Sequence, residues 1–348
     1  MENTNIYSDK YVDTLLNTVI IGSHISNEKR IVFLSECIFS LILQKKPVRI
    51  YISISFETDH LERIFNKAIL ESKMVETFKN FYPFYYSVEK KKTPQMVHIQ
   101  NVCNRMRNLI YYPHPEWIFF IDDDDTYSDT RTKLFVERIE ECEKDLTANN
   151  LDKTRLVGLY ESHDFGLNHK EQRHEYWCYC LRFSLLCEFF DRLKSYPDVI
   201  ENKCCDIVLG EFLRRRKSAD LFSFIDGKFY NYRRENNTDS VTGSIMTNKD
   251  KKTRTPNPPS MNDISIVDYI IEFNDFLNVK ENMDIYLHDT YLRTVVGVPF
   301  EDILKSEFMA DYPLLEYVDI CHVDKLRVFH DRLRLICLSI YDDKFPTY

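Results

Sequence analysis

Through roughly the first 160 residues, short apolar runs alternate with amphipathic segments, and nothing else in the sequence constrains the fold as tightly. Residues 18–24 form an apolar run that ends in small and polar residues, as a buried strand does where it meets a loop. Ser26 can cap the next helix, expected over 28–44. Residues 48–55, 81–88, 117–121 and 155–160 read as further strands, rich in β-branched and aromatic side chains. Between them 58–80, 95–110 and 129–145 carry helical spacing. This order predicts an α/β fold, with a mostly parallel sheet covered by helices on both faces. Ligands of such sheets bind at the carboxyl ends of the strands, which brings the loops after His24, Ser55 and Ile121 to one crevice.

From Tyr176 onward the pattern is less regular. Residues 176–184 and 222–232 read as strands, and 185–194 and 206–217 as helices. The polar, proline-containing stretch 246–262 reads as a linker. Beyond it, 264–277, 284–295 and 324–341 show helical spacing. The expected organisation is an α/β domain over 1–245, a linker over 246–262 and a helical C-terminal region over 263–348. The charges of that last region are mixed, so its helices are expected to pack against protein, and a homodimer surface is one candidate.

Net charge is −9, and a generally acidic surface argues against nucleic acid as a partner. Two basic clusters, 90–92 and 214–217, are either solvated faces or local attractors for phosphate. Ten cysteines occur without zinc-like spacing, as expected of thiols in a reducing compartment. The polar first 18 residues contain no signal-peptide core. The longest apolar stretch, 31–43, contains Glu36 and falls short of the roughly 20 residues a spanning helix needs. A soluble, cytoplasmic protein with no transmembrane segment is expected, and the sequon at Asn236 carries no weight.

The most informative stretch is the apolar run 117–121 followed by Asp122-Asp123-Asp124-Asp125-Thr126-Tyr127. Four carboxylates at the mouth of a buried strand repel one another unless a cation or hydrogen bonds compensate. A hard divalent ion, Mn²⁺ or Mg²⁺, suits such oxygen ligands. Alternation along an extended chain would set Asp123 and Asp125 on one side, one for the metal and one for a ribose hydroxyl. The competing reading is an acidic loop that caps the following helix.

This stretch resembles the DxD segment of GT-A-fold glycosyltransferases, similar to family 2 and to the DDDTY wording of Fringe-like enzymes. The resemblance implies a GT-A fold, with Asp125 as metal ligand and Asp123 as ribose contact and second metal ligand. Residues 18–26 stand where the family has its opening strand and nucleotide-binding loop, which makes Ser23 a candidate donor contact. Residues 34–44 are similar to the family's "L…SIL.Q" helix. Glu57 and Asp59 stand where the family reads the uracil ring, and a carboxylate can accept the imide N–H.

Asn104-Arg105-Met106-Arg107-Asn108 resembles the family's "ARN" segment, which makes Arg107 a phosphate contact or an orienter of the aspartates, unless it forms an ordinary ion pair. Residues 204–214 stand at the family's "ED…L…R" helix, where the acid is the general base, and Asp206 takes that role although Cys205 replaces the usual Glu. Residues 232–240 resemble "YR.H…S", with Glu235 in place of the metal-binding His. Tyr176, Trp177 and Tyr179 stand where sugar and acceptor contacts are expected, or else belong to the core. His163 and Asp164 are candidates to approach the donor sugar.

The resemblance covers 17–245 and implies an inverting, metal-dependent transfer from a UDP-sugar to a hydroxyl of a glycan, protein or small molecule. Two rivals remain: a catalytically inactive GT-A-fold protein that binds a nucleotide or glycan, and a metal-dependent phosphoryl-transfer enzyme or nuclease. The acidic surface disfavours the nuclease.

Overall fold

A computed structural model describes residues 17–108, 114–162, 174–217, 220–233, 265–305 and 320–342. The chain divides into two compact units, Met1–Glu235 and Asn236–Tyr348.

The first unit is built on β1 (Asn17–Ile25), buried almost throughout. It pairs in parallel with β2 (Arg49–Phe56) on one side and with β4 (Trp117–Ile121) on the other. Beyond β2 lies β3 (Phe84–Glu89), also parallel. Beyond β4 come β7 (Tyr179–Arg182), β6 (Leu156–Glu161) and the edge strand β8 (Leu221–Ile225). Only β7 runs against its neighbours in this seven-stranded sheet. The central strands are apolar on both faces because helices cover both, the pattern that separates a buried parallel sheet from a half-solvated one. The mostly parallel sheet flanked by helices is therefore as expected. The chain reverses its direction of travel across the sheet between β1 and β4, which places the ligand crevice at their carboxyl ends.

Several boundaries differ from expectation for local reasons. Asn27 rather than Ser26 caps α1 (Glu28–Ile42), since its side-chain oxygen accepts the amide of Arg30 at 3.2 Å. The helix expected over 58–80 is broken into α2 (Asp59–Phe65), a π-helical turn (Asn66–Leu70) and α3 (Lys73–Lys79), because Ser72 caps α3 by accepting the Val75 amide. Next comes α4 (Gln95–Arg107), which packs on β1. That approach is close: a side chain at Gly22 would meet the Gln95 carbonyl and the His98 Cβ at 2.9 Å. Helix α5 (Arg131–Ala148) is pinned by Gln44, whose amide donates to the Ser128 carbonyl at 2.7 Å and whose oxygen accepts the Thr132 amide at 3.1 Å. The segment 176–184 divides into a 3₁₀ turn (Tyr176–Cys178), β7 and the start of α6 (Phe183–Leu193). Then α7 (Pro197–Ile200) and α8 (Cys205–Arg216) follow. The strand expected over 222–232 is interrupted at Gly227, with φ +141°, and yields β8 and the short β9 (Tyr230–Asn231), which pairs with β5 (Thr126–Tyr127).

The second unit contains α9 (Ile266–Asn278), α10 (Lys280–Val296), α11 (Phe300–Leu304) and α12 (Ile320–Ile340). They close over a core that includes Phe273, Leu277, Met283, Phe300, Ile303 and Leu326. The proposed linker 246–262 lies outside the described residues. No helix among the described residues is long and apolar enough to cross a membrane. All ten cysteines are thiols, most of them buried.

His98 stitches α4 to β2. Its two ring nitrogens hydrogen-bond the hydroxyls of Ser53 at 2.8 Å and Ser55 at 3.2 Å, and burial lowers its pKa to about 4. Below the ordinary imidazole range the unfolded chain takes up a proton that the fold refuses. The contribution is therefore present above about pH 6.5 and lost as pH falls toward 4, up to about 3 kcal/mol. In urea unfolding, His98→Gln is expected to flatten the loss of stability between these limits; an unchanged pH slope would contradict this.

Candidate active site

At the end of β4 the chain does not stay extended. The Asp125 amide donates to the Asp122 carbonyl at 3.2 Å, so the four aspartates fold into a turn. Side-chain alternation no longer applies, and Asp123 and Asp125 part company. Carboxylate oxygens of Asp122, Asp124 and Asp125 converge within 4.8 Å of one another. Asp123 faces the end of β1 and the start of α1 instead, accepting from the Ser23 hydroxyl and from the Arg30 guanidinium. Ser23 is thus beside the acids, and its nearest role is to hold Asp123.

A second layer fixes the turn. The Tyr230 hydroxyl accepts from the Asp122 amide at 2.9 Å and donates to Asp125 Oδ2 at 2.8 Å. The Arg233 amide donates to Asp125 Oδ1 at 2.7 Å, and its Nε to the Asp124 carbonyl at 2.7 Å. Gln95, at the start of α4, donates to Asp122 Oδ1 at 2.7 Å, and the Tyr176 hydroxyl donates to the same carboxylate. Arg30 Nη1 donates to Asp124 Oδ2 at 2.9 Å.

Burial raises the pKa of Asp125 to about 7 and that of Asp123 to about 6, and pushes Asp122 well above the carboxylate range. Neighbouring acids add to the rise, and Arg30 opposes it at Asp123. Such a cluster gains by binding a cation. A hard divalent ion takes oxygen ligands of this kind, and the Asp122, Asp124 and Asp125 oxygens lie within 4.8 Å of one another. The residues present therefore fit a hard divalent cation, with Asp122 and Asp124 beside Asp125 in the converging group and Asp123 outside it. Glu235 lies outside the described residues, as do His163 and Asp164.

Arg107 is not part of this cluster. Helix α4 runs against the parallel strands, so its first residue meets the acids and its last lies at the opposite edge of the sheet. There Arg107 pairs with Asp191 on α6 at 2.7 and 3.0 Å, beside His114 and Glu116, which precede β4. The expectation that it orients the aspartates gives way to an ion pair. The basic run on α8 is likewise tied down, with Arg214 on Glu211 and Arg216 on Asp220.

Asp206 lies in the first turn of α8, partly buried, and its charge helps hold the Tyr176 phenol protonated. It therefore stands within electrostatic reach of the phenol that contacts Asp122. Glu57 and Asp59 are exposed beyond the carboxyl end of β2. His24 Nε2 contacts Glu57 at 3.1 Å, and its Nδ1 contacts Ser55 Oγ at 3.0 Å. Tyr179 and Trp177 are both buried in the core, and Trp177 also stacks on Tyr230 and Tyr232 at 4.2 and 5.7 Å between centroids.

Behind the acids, Arg131 and Glu161 form a fully buried ion pair. Glu161 accepts the Phe229 and Tyr230 amides, and Arg131 donates to the Trp177 carbonyl at 2.8 Å. The guanidinium packs 4.1 Å from the Tyr127 ring centroid. This pair holds the backbone that carries Tyr230.

Neither a family model nor a curated protein matches the chain. Among solved structures it is similar to residues 1–349 of S. aureus TarS in complex with UDP, at 15% identity and TM-score 0.41, over 92% of this chain and 91% of that one. It is also similar to the longer S. aureus TarS structure, at 14% identity and TM-score 0.40, over 93% of this chain and 54% of that one. A 4-diphosphocytidyl-2C-methyl-D-erythritol synthase from Anaerococcus prevotii aligns at 12% identity and TM-score 0.36, over 69% of this chain and 100% of that one.

Arg131→Met leaves Glu161 charged and unpaired in the core, at an expected cost of about 3–5 kcal/mol in urea unfolding. Arg131→Met combined with Glu161→Leu is expected to recover most of that loss. A single-variant cost below about 1 kcal/mol would show that the pair does not hold the site together.

Proposed function

We propose that this chain is a glycosyltransferase that uses a divalent cation, Mn²⁺ or Mg²⁺, and a UDP-sugar donor. The observation that carries the proposal is the convergence of Asp122, Asp124 and Asp125 at the β1/β4 reversal of the sheet. In this reading residues 1–245 are the catalytic domain, joined through 246–262 to the helical region 263–348. The acceptor is a hydroxyl of a glycan, protein or small molecule.

When bound, the cation supplies charge neutralisation for the leaving diphosphate. Asp125, with Asp122 and Asp124, would hold it, and Glu235 is retained as a further ligand. Asp123, held by Ser23, is assigned to a ribose hydroxyl. Glu57 or Asp59 accepts the imide N–H of the uracil ring. Asp206 is assigned as general base. Its carboxylate takes the acceptor proton as the acceptor oxygen bonds to the anomeric carbon. The bond from that carbon to the diphosphate oxygen breaks, and its electron pair leaves with UDP. One displacement of this kind inverts the anomeric centre. The nearness of Asp206 to Tyr176, and of Tyr176 to Asp122, supports an acceptor bound between base and donor.

Two variants test the roles separately, with UDP-sugar turnover and UDP binding measured in Mn²⁺. Asp206→Asn is expected to lower kcat by about 10²–10⁴-fold while UDP affinity stays within about threefold. Asp125→Ala is expected to remove Mn²⁺-dependent UDP binding and turnover together. Unchanged turnover in Asp206→Asn removes the base assignment, and Mn²⁺-dependent turnover in Asp125→Ala removes the cation site.

A further inference from the structure

The guanidinium of Arg30 lies against two of the four aspartates from the first turn of α1. Its side chain is 13% exposed, and it reaches Asp123 and Asp124 with different nitrogens. The backbone beneath it is fixed by the Asn27 cap, which takes the Arg30 amide at 3.2 Å. Asp123 is held from the other side by the Ser23 hydroxyl. The nearby Arg233 guanidinium meets the turn only at backbone, its Nε donating to the Asp124 carbonyl at 2.7 Å, and otherwise reaches Glu36 and the Phe33 ring, 4.3 Å from its centroid.

Asp124 therefore faces the converging carboxylates on one side and the Arg30 guanidinium on the other. One of its oxygens belongs to the group that converges with Asp122 and Asp125, and Oδ2 accepts from Arg30 at 2.9 Å. A carboxylate shared between two positive centres is the bridging element of two-metal sites, whose ions stand about 3.5–4 Å apart. Here one of the two positions is filled by a side chain that carries a permanent charge.

We infer that Arg30 is a positioning residue that takes the place of a second cation, so that the acidic turn binds one divalent ion and not two. The inference rests on the cation-binding reading of the same turn. Asp123, paired with Arg30 and held by Ser23, is left out of the metal shell. Asp124 would be shared between the guanidinium and the ion.

The test is a calorimetric Mn²⁺ titration of the full chain, with and without UDP. Circular dichroism confirms that each variant is folded. Wild type is expected to bind one Mn²⁺. Arg30→Ala is expected to bind two, and so is Arg30→Gln, which keeps a donor but no charge. Arg30→Lys restores the charge and is expected to return to one. Arg107→Ala, which removes a cation from the far edge of the sheet, is expected to stay at one. Two ions in wild type, or a single ion in both neutral variants, would overturn the inference while leaving the cation site intact. No Mn²⁺ uptake by any of these proteins, with or without UDP, removes the cation-binding reading and this inference with it.

Discussion

The acidic turn keeps its shape because a buried ion pair lies behind it. Arg131 and Glu161 are both fully inaccessible, and each also hydrogen-bonds backbone from another part of the chain. Glu161 fixes the strand that carries Tyr230, and Arg131 fixes the turn that carries Tyr176 and Trp177. The two phenols project from these supports onto Asp122 and Asp125. Burying such a pair is costly, and little stability is gained over an apolar replacement. What it provides is placement: four segments distant in sequence meet at one point with fixed backbone directions.

The acids themselves work against the fold. Burial and mutual repulsion raise their pKa values, so the turn stores unfavourable electrostatics that a cation would relieve. Hydrogen bonds from Tyr176, Tyr230, Gln95 and the Arg233 amide offset part of that cost and orient the lone pairs. Arg30 offsets another part on the side of the turn that faces β1. The same layout joins stability to function, since the groups that tolerate the clustered charge also set which oxygens converge.

The sheet was legible in the sequence because its central strands are apolar runs with no helical period, and the helices between them keep theirs. The position of the aspartates at the mouth of β4 followed from the same pattern. What periodicity could not supply was the turn. Alternation assumes extended backbone, and one amide-to-carbonyl hydrogen bond from Asp125 to Asp122 undoes it, exchanging Asp123 for Asp122 and Asp124 in the converging group. Helix direction explains Arg107 as well. A residue near the acids in sequence sits at the far edge of the sheet because α4 runs antiparallel to the strands, while Gln95 at the other end of that helix reaches them. Arg30 was missed although its signal was present: a cation one turn into the helix that follows β1 must stand near the carboxyl end of the neighbouring β4.

The proposed function requires the turn to hold a cation together with a nucleotide diphosphate. Anomalous scattering at the manganese edge, from crystals grown with Mn²⁺ and UDP, tests this directly. The account predicts a peak bounded by Asp122, Asp124 and Asp125, with the diphosphate on its open side. Clear density for UDP with no anomalous peak between those three carboxylates would contradict it.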